Sequence, residues 1–299
     1  MRKLVQAEDP DFIAFTGDMV SGYSWNKSEG WYEAMWHRWT KVIYETKKPY
    51  CYTLGNHDSE ADLNRQEIVK LDMTNPYSFT QLFPDNMAGA STFVLPVYSS
   101  KHPEQVVMNL WFFDSGDYNC LGVNGYGCVE PKMIDWYKRM SRQLEIEQGG
   151  KKPAVAFMHI PPVEYLYAYN HYPSVGRKTE ACCCSSMNTG IVAAFKERGD
   201  VFALFCGHDH SNDYVNDFEG ILLGYGRKTG YGCYGPAEGM QRGGRMLKFV
   251  EEDFKMTTYV VNEDGTHEIQ TEQASESDQV DVCGGSKPPK WVVCFIYDS

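Results

Sequence analysis

The sequence predicts an α/β layered fold in which a β-sandwich is flanked by helices. Three observations carry this. Four short apolar runs rich in β-formers each stop abruptly at Gly, Asn, Asp or His, helical patterns lie between them, and beyond about residue 220 the chain turns to strands alone. Continuous apolar runs bounded by such breakers mark strands covered on both faces, and their alternation with helices marks α/β layering.

The strand candidates are Phe12 to Asp18, Tyr50 to Asp58, Ala154 to His159 and Val201 to His210. Between them, Trp31 to Glu45 places Trp31, Met35, Trp39, Val42 and Ile43 at helical spacing. Asp58-Ser59 followed by Asp62 resembles a helix start. Pro131 to Glu147 opens on a proline suited to a first helical position and carries Ile134, Tyr137, Met140 and Leu144 on one face. Met187 to Arg198 continues a helical pattern through Ile191, Val192 and Phe195 and stops at Gly199. Ile221 to Leu223, Arg245 to Val250, Lys255 to Val261 and Thr266 to Thr271 read as successive strands. The organisation expected is one domain over residues 1–272 and a loosely ordered tail over 273–299.

The composition is that of a globular protein: 299 residues, 42% AVILMFWYC and 23% DEKR. A formal net charge of -12 argues against non-specific binding to nucleic acid or anionic lipid, which needs basic patches. A small anionic substrate stays compatible, because a bound metal reverses the local field. No stretch is long enough to span a membrane, and the apolar run from Trp291 to Tyr297 is far too short. Met1 to Asp9 has no apolar core of a signal peptide. Ten cysteines pull the other way on compartment, with Cys120 and Cys128 flanking a Gly-rich loop in a way that permits a disulfide. The Cys182-Cys183-Cys184 triplet reads as a loop with a structural disulfide and spare thiols in preference to a redox or soft-metal centre.

In an α/β sheet, ligands gather outside the carboxyl ends of the strands. Those ends here present Asp18, Asn56, His57, His159, His208 and His210. Carboxylate, amide oxygen and imidazole suit divalent metals of the Zn, Mn and Fe group. Glycines at 17, 55 and 207 let the backbone turn so that the next side chain faces a common centre. Each signal is weak alone, since Gly-Asp is common in turns and a lone buried histidine is usually just hydrogen-bonded. All four in one chain, each at a strand end, make a metal site the stronger reading.

Gly17-Asp18, Gly55-Asn56-His57-Asp58, His159 in Met158-His159-Ile160-Pro161, and Gly207-His208-Asp209-His210 together resemble the calcineurin-like metallophosphoesterases. The phrase Phe112 to Tyr118 and the run Gly207 to Asp213 make the chain most similar to the atypical purple acid phosphatase-like branch. The resemblance covers roughly residues 1 to 260. It implies an α/β/β/α fold and a dinuclear centre of two divalent or trivalent metal ions of the Fe, Zn and Mn class. It also implies a role for each matching position. Asp18 would bridge both metals, Asn56, His159 and His208 would complete one site, and His210 would belong to the other. His57 would protonate the leaving alcohol and Asp58 would orient it, while a bridging hydroxide attacks phosphorus.

Two departures stand out. The family's first motif, D-x-H at the end of a central strand, has no counterpart, and Met1 to Val5 falls where the following helix should be. The expectation is therefore a fold lacking its first strand and one metal site short of ligands. Ser21 stands where iron-dependent purple acid phosphatases carry a tyrosine ligand, so no iron–tyrosinate centre is expected. The functional expectation is a hydrolase of phosphate monoesters or diesters, with a catalytically silent binding scaffold as the alternative. A longer form of the chain would be compatible with a secreted, lysosomal or vacuolar location.

Secondary candidates are Asp114 and Asp117, read mainly as turn caps, and Tyr23, Tyr225, Tyr231 and Tyr234, read as pocket wall. Arg227 is read as a surface arginine within reach of phosphate, and His37, His102, His171 and His267 as surface groups.

Overall fold

A computed structural model describes residues 1–83, 89–252 and 254–273. From residue 274 on, the expected tail and its apolar run Trp291 to Tyr297 lie outside the described residues. Strands are β1 (Ile13–Phe15), β2 (Tyr50–Tyr52), β3 (Phe93–Tyr98), β4 (Val106–Phe112), β5 (Tyr118–Cys120), β6 (Val123–Tyr126), β7 (Ala154–Met158), β8 (Ser174–Val175), β9 (Val201–Cys206), β10 (Val215–Phe218), β11 (Ile221–Tyr225), β12 (Gly243–Val250), β13 (Lys255–Asn262), β14 (His267–Glu268) and β15 (Glu272–Gln273). Helices are α1 (Arg2–Glu8), α2 (Trp31–Thr46), α3 (Arg65–Asp72), α4 (Pro131–Glu147), α5 (Glu164–His171) and α6 (Ile191–Arg198).

The large sheet has eight strands in the order β15-β8-β10-β11-β9-β7-β4-β3. Its centre, β11-β9-β7-β4, is parallel. Every residue of β7 is buried, which is why Ala154 to Met158 reads as an unbroken apolar run. One face presents Trp111 and Phe113 to Tyr137 of α4 and Phe195 of α6, and is covered by α4, α5 and α6. The other face presents Phe112, Phe157 and Phe205 to a second β layer. That layer comes in two pieces: the parallel pair β1–β2 and the antiparallel sheet β12–β13–β14. Phe12 and Ala14 from the first piece and Leu247, Phe249 and Met256 from the second pack against the same aromatic face. Helices α2 and α3 cover β1–β2, and α1 spans from α2 to β13–β14, where Glu8 accepts from Tyr259 and faces His267. The result is the α/β/β/α stack, with its second β layer divided. Among the described residues β1 pairs with β2 alone and β12 with β13 alone.

Three local expectations are corrected. Helix α2 buries Tyr32, Trp36, Thr40 and Ile43, with Trp31, Met35 and Trp39 only partly covered. Its inner face is turned by about one residue because Tyr32 and Trp36 reach buried oxygens: Tyr32 meets the hydroxyl of Tyr52, and the Trp36 indole donates to Asp72. The helix expected after Asp58 begins only at Arg65, where Asn64 and Glu67 form a capping box. Asp62, read as part of that start, instead accepts from the backbone N–H groups of Trp31 and Tyr32 and caps α2. Helix α6 starts at Ile191, because Gly190 sits at φ 89° and cannot extend a helix from Met187.

One buried carboxylate ties α2, α3 and β2 together. Asp72 accepts from Trp36 Nε1 at 2.9 Å and from the hydroxyls of Tyr50, Ser78 and Thr80, each at 2.7 Å. Removing it leaves four donors to compete for partners in a dry core. Asp72→Ala is therefore expected to lower unfolding stability by at least about 3 kcal/mol, measured by urea denaturation, since each unsatisfied buried group costs about 1–3 kcal/mol.

Candidate metal centre

Strands β1 and β2 run parallel, so Gly17-Asp18 and Gly55-Asn56-His57 leave the layer at the same edge. The buried Asp58 carboxylate locks the two exits together. It accepts from the backbone N–H of Gly55 at 2.8 Å, of Asp18 at 2.8 Å and of Val20 at 3.1 Å. Asp18 Oδ1 in turn accepts from the His57 N–H at 2.9 Å. The backbones approach so closely that only glycine fits. A Cβ on Gly55 would lie 2.1 Å from Asp18 Oδ1, and one on Gly17, at φ +95°, would lie 2.6 Å from His159 Nδ1. Asp18 and His208 themselves sit at φ 53° and 71°, conformations that L-residues hold only where the surroundings insist.

The donors converge on His159, which is buried at the end of β7. Its Nδ1 lies 2.6 Å from the Thr16 carbonyl and donates there, so Nε2 presents a lone pair inward. Around that Nε2 stand Asp18 Oδ2 at 3.1 Å, Asn56 Oδ1 at 3.1 Å and His208 Nδ1 at 3.2 Å. One ligand atom each from Asp18, His159 and His208 falls within 4.8 Å of the others. The second nitrogen of His208 is buried with no hydrogen-bond partner among the described residues.

Burial, reinforced by the neighbouring His159, pushes the His208 pKa well below its ordinary value and keeps the ring in its neutral, ligating form. For Asp18, burial works to raise the pKa, but the charges of His159 and His57 outweigh it and hold the carboxyl well below the usual range. For His159, burial lowers the pKa and the Asp18 carboxylate more than restores it. A carboxylate, an amide oxygen and two imidazoles, one of them short of a partner, fit a divalent cation.

The other predicted residues fall differently. His210 stands outside this group. Its Nδ1 lies 3.0 Å from the Tyr234 carbonyl and 3.3 Å from Lys228 Nζ, and its ring stacks on Tyr234. Burial, together with Lys228, brings its pKa down to about 4. Asp58 was expected to orient His57 but is consumed by the three backbone donors. The group on His57 Nδ1 is Glu60, at 2.8 Å. Sequence reasoning missed Glu60, although its place three residues after His57 puts it within one turn of the ring.

Asp114 is a structural carboxylate. It pairs with Arg65 and accepts from the N–H groups of Ala90, Ser91 and Gly116. Burial would raise its pKa, but Arg65 outweighs that and lowers it. Asp117 accepts from the Tyr118 N–H, a turn cap as read. Arg227 is no surface arginine. It is buried between Asp213 and Glu268, too far committed to serve phosphate. Tyr225 is buried and donates to Asp209, and Tyr231 is tied to Glu263, so neither lines the site. Cys120 and Cys128 form the disulfide that the spacing allowed. In the triplet, Cys184 is disulfide-bonded, and the backbone of Cys183 docks on Asp209.

Two stacked β layers with helices outside and polar residues gathered on the strand ends define the metallophosphoesterase fold. The sequence profile of the calcineurin-like phosphoesterases matches residues 1–212, and the chain belongs to that family. It is 32% identical over 262 residues to an Arabidopsis thaliana protein named "Probable inactive purple acid phosphatase 29", a match covering 83% of this chain and 66% of the relative. It is 28% identical over 229 residues to the Saccharomyces cerevisiae protein named "Phosphatase DCR2", covering 72% of this chain and 38% of that one. The chain thus spans just under two thirds of the first relative's length and well under half of the second's. Among solved structures, a dimetal phosphatase from Danio rerio shares the fold, with a TM-score of 0.50 at 13% identity over 75% of this chain and 74% of that one.

The geometry makes a direct prediction about metal affinity. Calorimetric titration of the full chain with Zn²⁺ is expected to give saturable binding. His159→Ala is expected to weaken it by well over the roughly 10–100-fold that loss of an outer-shell partner causes.

Proposed function

We propose that the chain hydrolyses phosphate esters with the help of a metal ion held by Asp18, Asn56, His159 and His208. The observation that carries this reading is the convergence of donors from three other strand ends on His159 Nε2, with His208 Nε2 left without a partner among the described residues. A cation held there supplies Lewis acidity toward phosphate oxygens and makes water more acidic near neutral pH.

The chain's own residues supply the rest. His57 is partly buried, its side chain 21% exposed, with Nδ1–H donating to Glu60, which leaves Nε2 for the substrate. As water adds to phosphorus and the ester P–O bond breaks, the doubly protonated His57 ring keeps Nδ1–H on Glu60 and gives its Nε2 proton to the departing oxygen. The Glu60 carboxylate on Nδ1–H fixes the ring's angle and favours its doubly protonated form. The His57 backbone N–H on Asp18 Oδ1 sets its distance from the donor group. In this reading the proton donor and the metal-holding carboxylate cannot move independently.

A second reading, binding without turnover, has one observation in its favour. His210, which the family resemblance assigns to a second metal, is turned onto Tyr234 and Lys228. The two readings part on activity. With p-nitrophenyl phosphate and the metal-loaded chain, hydrolysis is expected, and His57→Ala should lower it about 10²–10⁴-fold while bound metal stays unchanged. Glu60→Gln should lower turnover about 10–100-fold, chiefly in kcat. Metal binding with turnover no greater than that of the metal ion alone would establish the silent scaffold instead, and equal turnover by wild type and His57→Ala above that level would remove only the proton-donor role of His57.

A further inference from the structure

We infer that the site is built for aryl phosphate esters, in which an aromatic ring is attached directly to the ester oxygen. This deepens the proposed hydrolase reading and rests on it. Three residues of the site, and the outlying His210, each carry a tyrosine. The Tyr23 ring lies 5.0 Å from that of His57, the Tyr118 hydroxyl accepts from Asn56 Nδ2 at 3.1 Å, Tyr126 sets its ring 4.4 Å from His208, and Tyr234 stacks 4.2 Å from His210.

Three of these rings are spread into solvent. Tyr23 is 78% exposed, Tyr234 56% and Tyr118 41%, so core packing does not account for their positions. Two are held by a dedicated device. Tyr118 and Tyr126 lie on β5 and β6, stacked 5.9 Å apart across the hairpin, which the Cys120–Cys128 disulfide closes. The hairpin is exposed along most of its length and adds little to the core. Its evident work is to present these rings at the site.

The placement selects the ligand. The proton donor must touch the ester oxygen, so whatever hangs on that oxygen begins at His57. Tyr23 lies beside His57, and the Tyr118 hydroxyl holds Asn56, the residue before His57. A ring joined directly to the oxygen falls between exposed aromatic faces, whereas an alkyl group has no planar surface to offer them. Aromatic pairs in offset or tilted geometry add measurably to the effect of buried area alone.

The test uses inert analogues, so that it does not depend on turnover. Benzylphosphonate reproduces phenyl phosphate with CH₂ in place of the ester oxygen, and ethylphosphonate is its alkyl counterpart. Both are titrated calorimetrically into the full Zn²⁺-loaded chain. Benzylphosphonate is expected to bind about tenfold more tightly, the scale of one to two aromatic contacts. Tyr23→Leu and Tyr118→Leu should each bring the two affinities closer, and Tyr23→Phe should preserve the gap. Equal affinities for the two ligands in the wild type would overturn the aryl inference while leaving the hydrolase reading intact. A gap that survives both leucine variants would also overturn it. Failure of both phosphonates to bind would remove the hydrolase reading and this inference with it.

Discussion

Everything at the site hangs from the Asp58 carboxylate. It is fully buried, and its two oxygens gather the backbone N–H groups of Gly55, Asp18 and Val20. Two of these belong to the segment leaving β1 and one to the segment leaving β2. A charged acceptor holding three backbone donors is a strong restraint, because charge-assisted hydrogen bonds are about twice as strong as neutral ones. Burial and the nearby Asp18 push the Asp58 pKa upward, so the carboxylate depends on those donors to remain charged. The Tyr32 hydroxyl, held by Tyr52, completes the shell and carries the restraint into α2 and β2.

That restraint explains how the site tolerates unfavourable backbone. Asp18 at φ 53° and His208 at φ 71° each occupy conformations costing about 1–3 kcal/mol. Asp18 stays there because its N–H is on Asp58 and its Oδ1 holds the His57 N–H. His159 is positioned by a different anchor, the Thr16 carbonyl, which also belongs to the segment following β1. The Thr16 carbonyl on His159 thus ties the parallel pair to the large sheet at the site, while the Asp58 carboxylate ties the exits of β1 and β2 to each other.

How much of this could be read from residues alone follows the range of the interactions. Ala154 to Met158 and Val201 to Cys206 were legible as strands because burial on both faces writes itself as an uninterrupted apolar run. Helix α4 was legible because Pro131 occupies a position where its missing N–H is no loss. Asp18, Asn56, His159 and His208 were legible because each follows a strand. What failed was partner choice across space. Asp58 and Glu60 are both carboxylates within three residues of His57, and nothing local says which one turns toward the ring and which toward the backbone. Arg227 looked like a surface group in a Gly-rich loop because its partners, Asp213 and Glu268, are brought to it only by the pairing of β10 with β11 and by β14. The inner face of α2 was misplaced by one position because its burial follows two polar contacts, at Tyr32 and Trp36, and not hydrophobicity.

The divided second layer bears on function through rigidity. β1 is held by β2 on one side, and its residues Ile13 to Phe15 are only partly buried, whereas all three residues of β2 are fully covered. A strand paired on one side has fewer ladder bonds to fix the direction of the loop that follows it. In this chain the loop after β1 is fixed from the far end instead, by Asp58 on the β2 side and His159 on the β7 side. Donors so prearranged would need little ordering to take up a cation, as preorganisation lowers the cost of binding. His210 has no such tie to β1. It is fastened to the Tyr234 backbone, in a segment anchored elsewhere. The difference between a tight donor group and an outlying histidine therefore follows from which residues the Asp58 and Thr16 contacts reach.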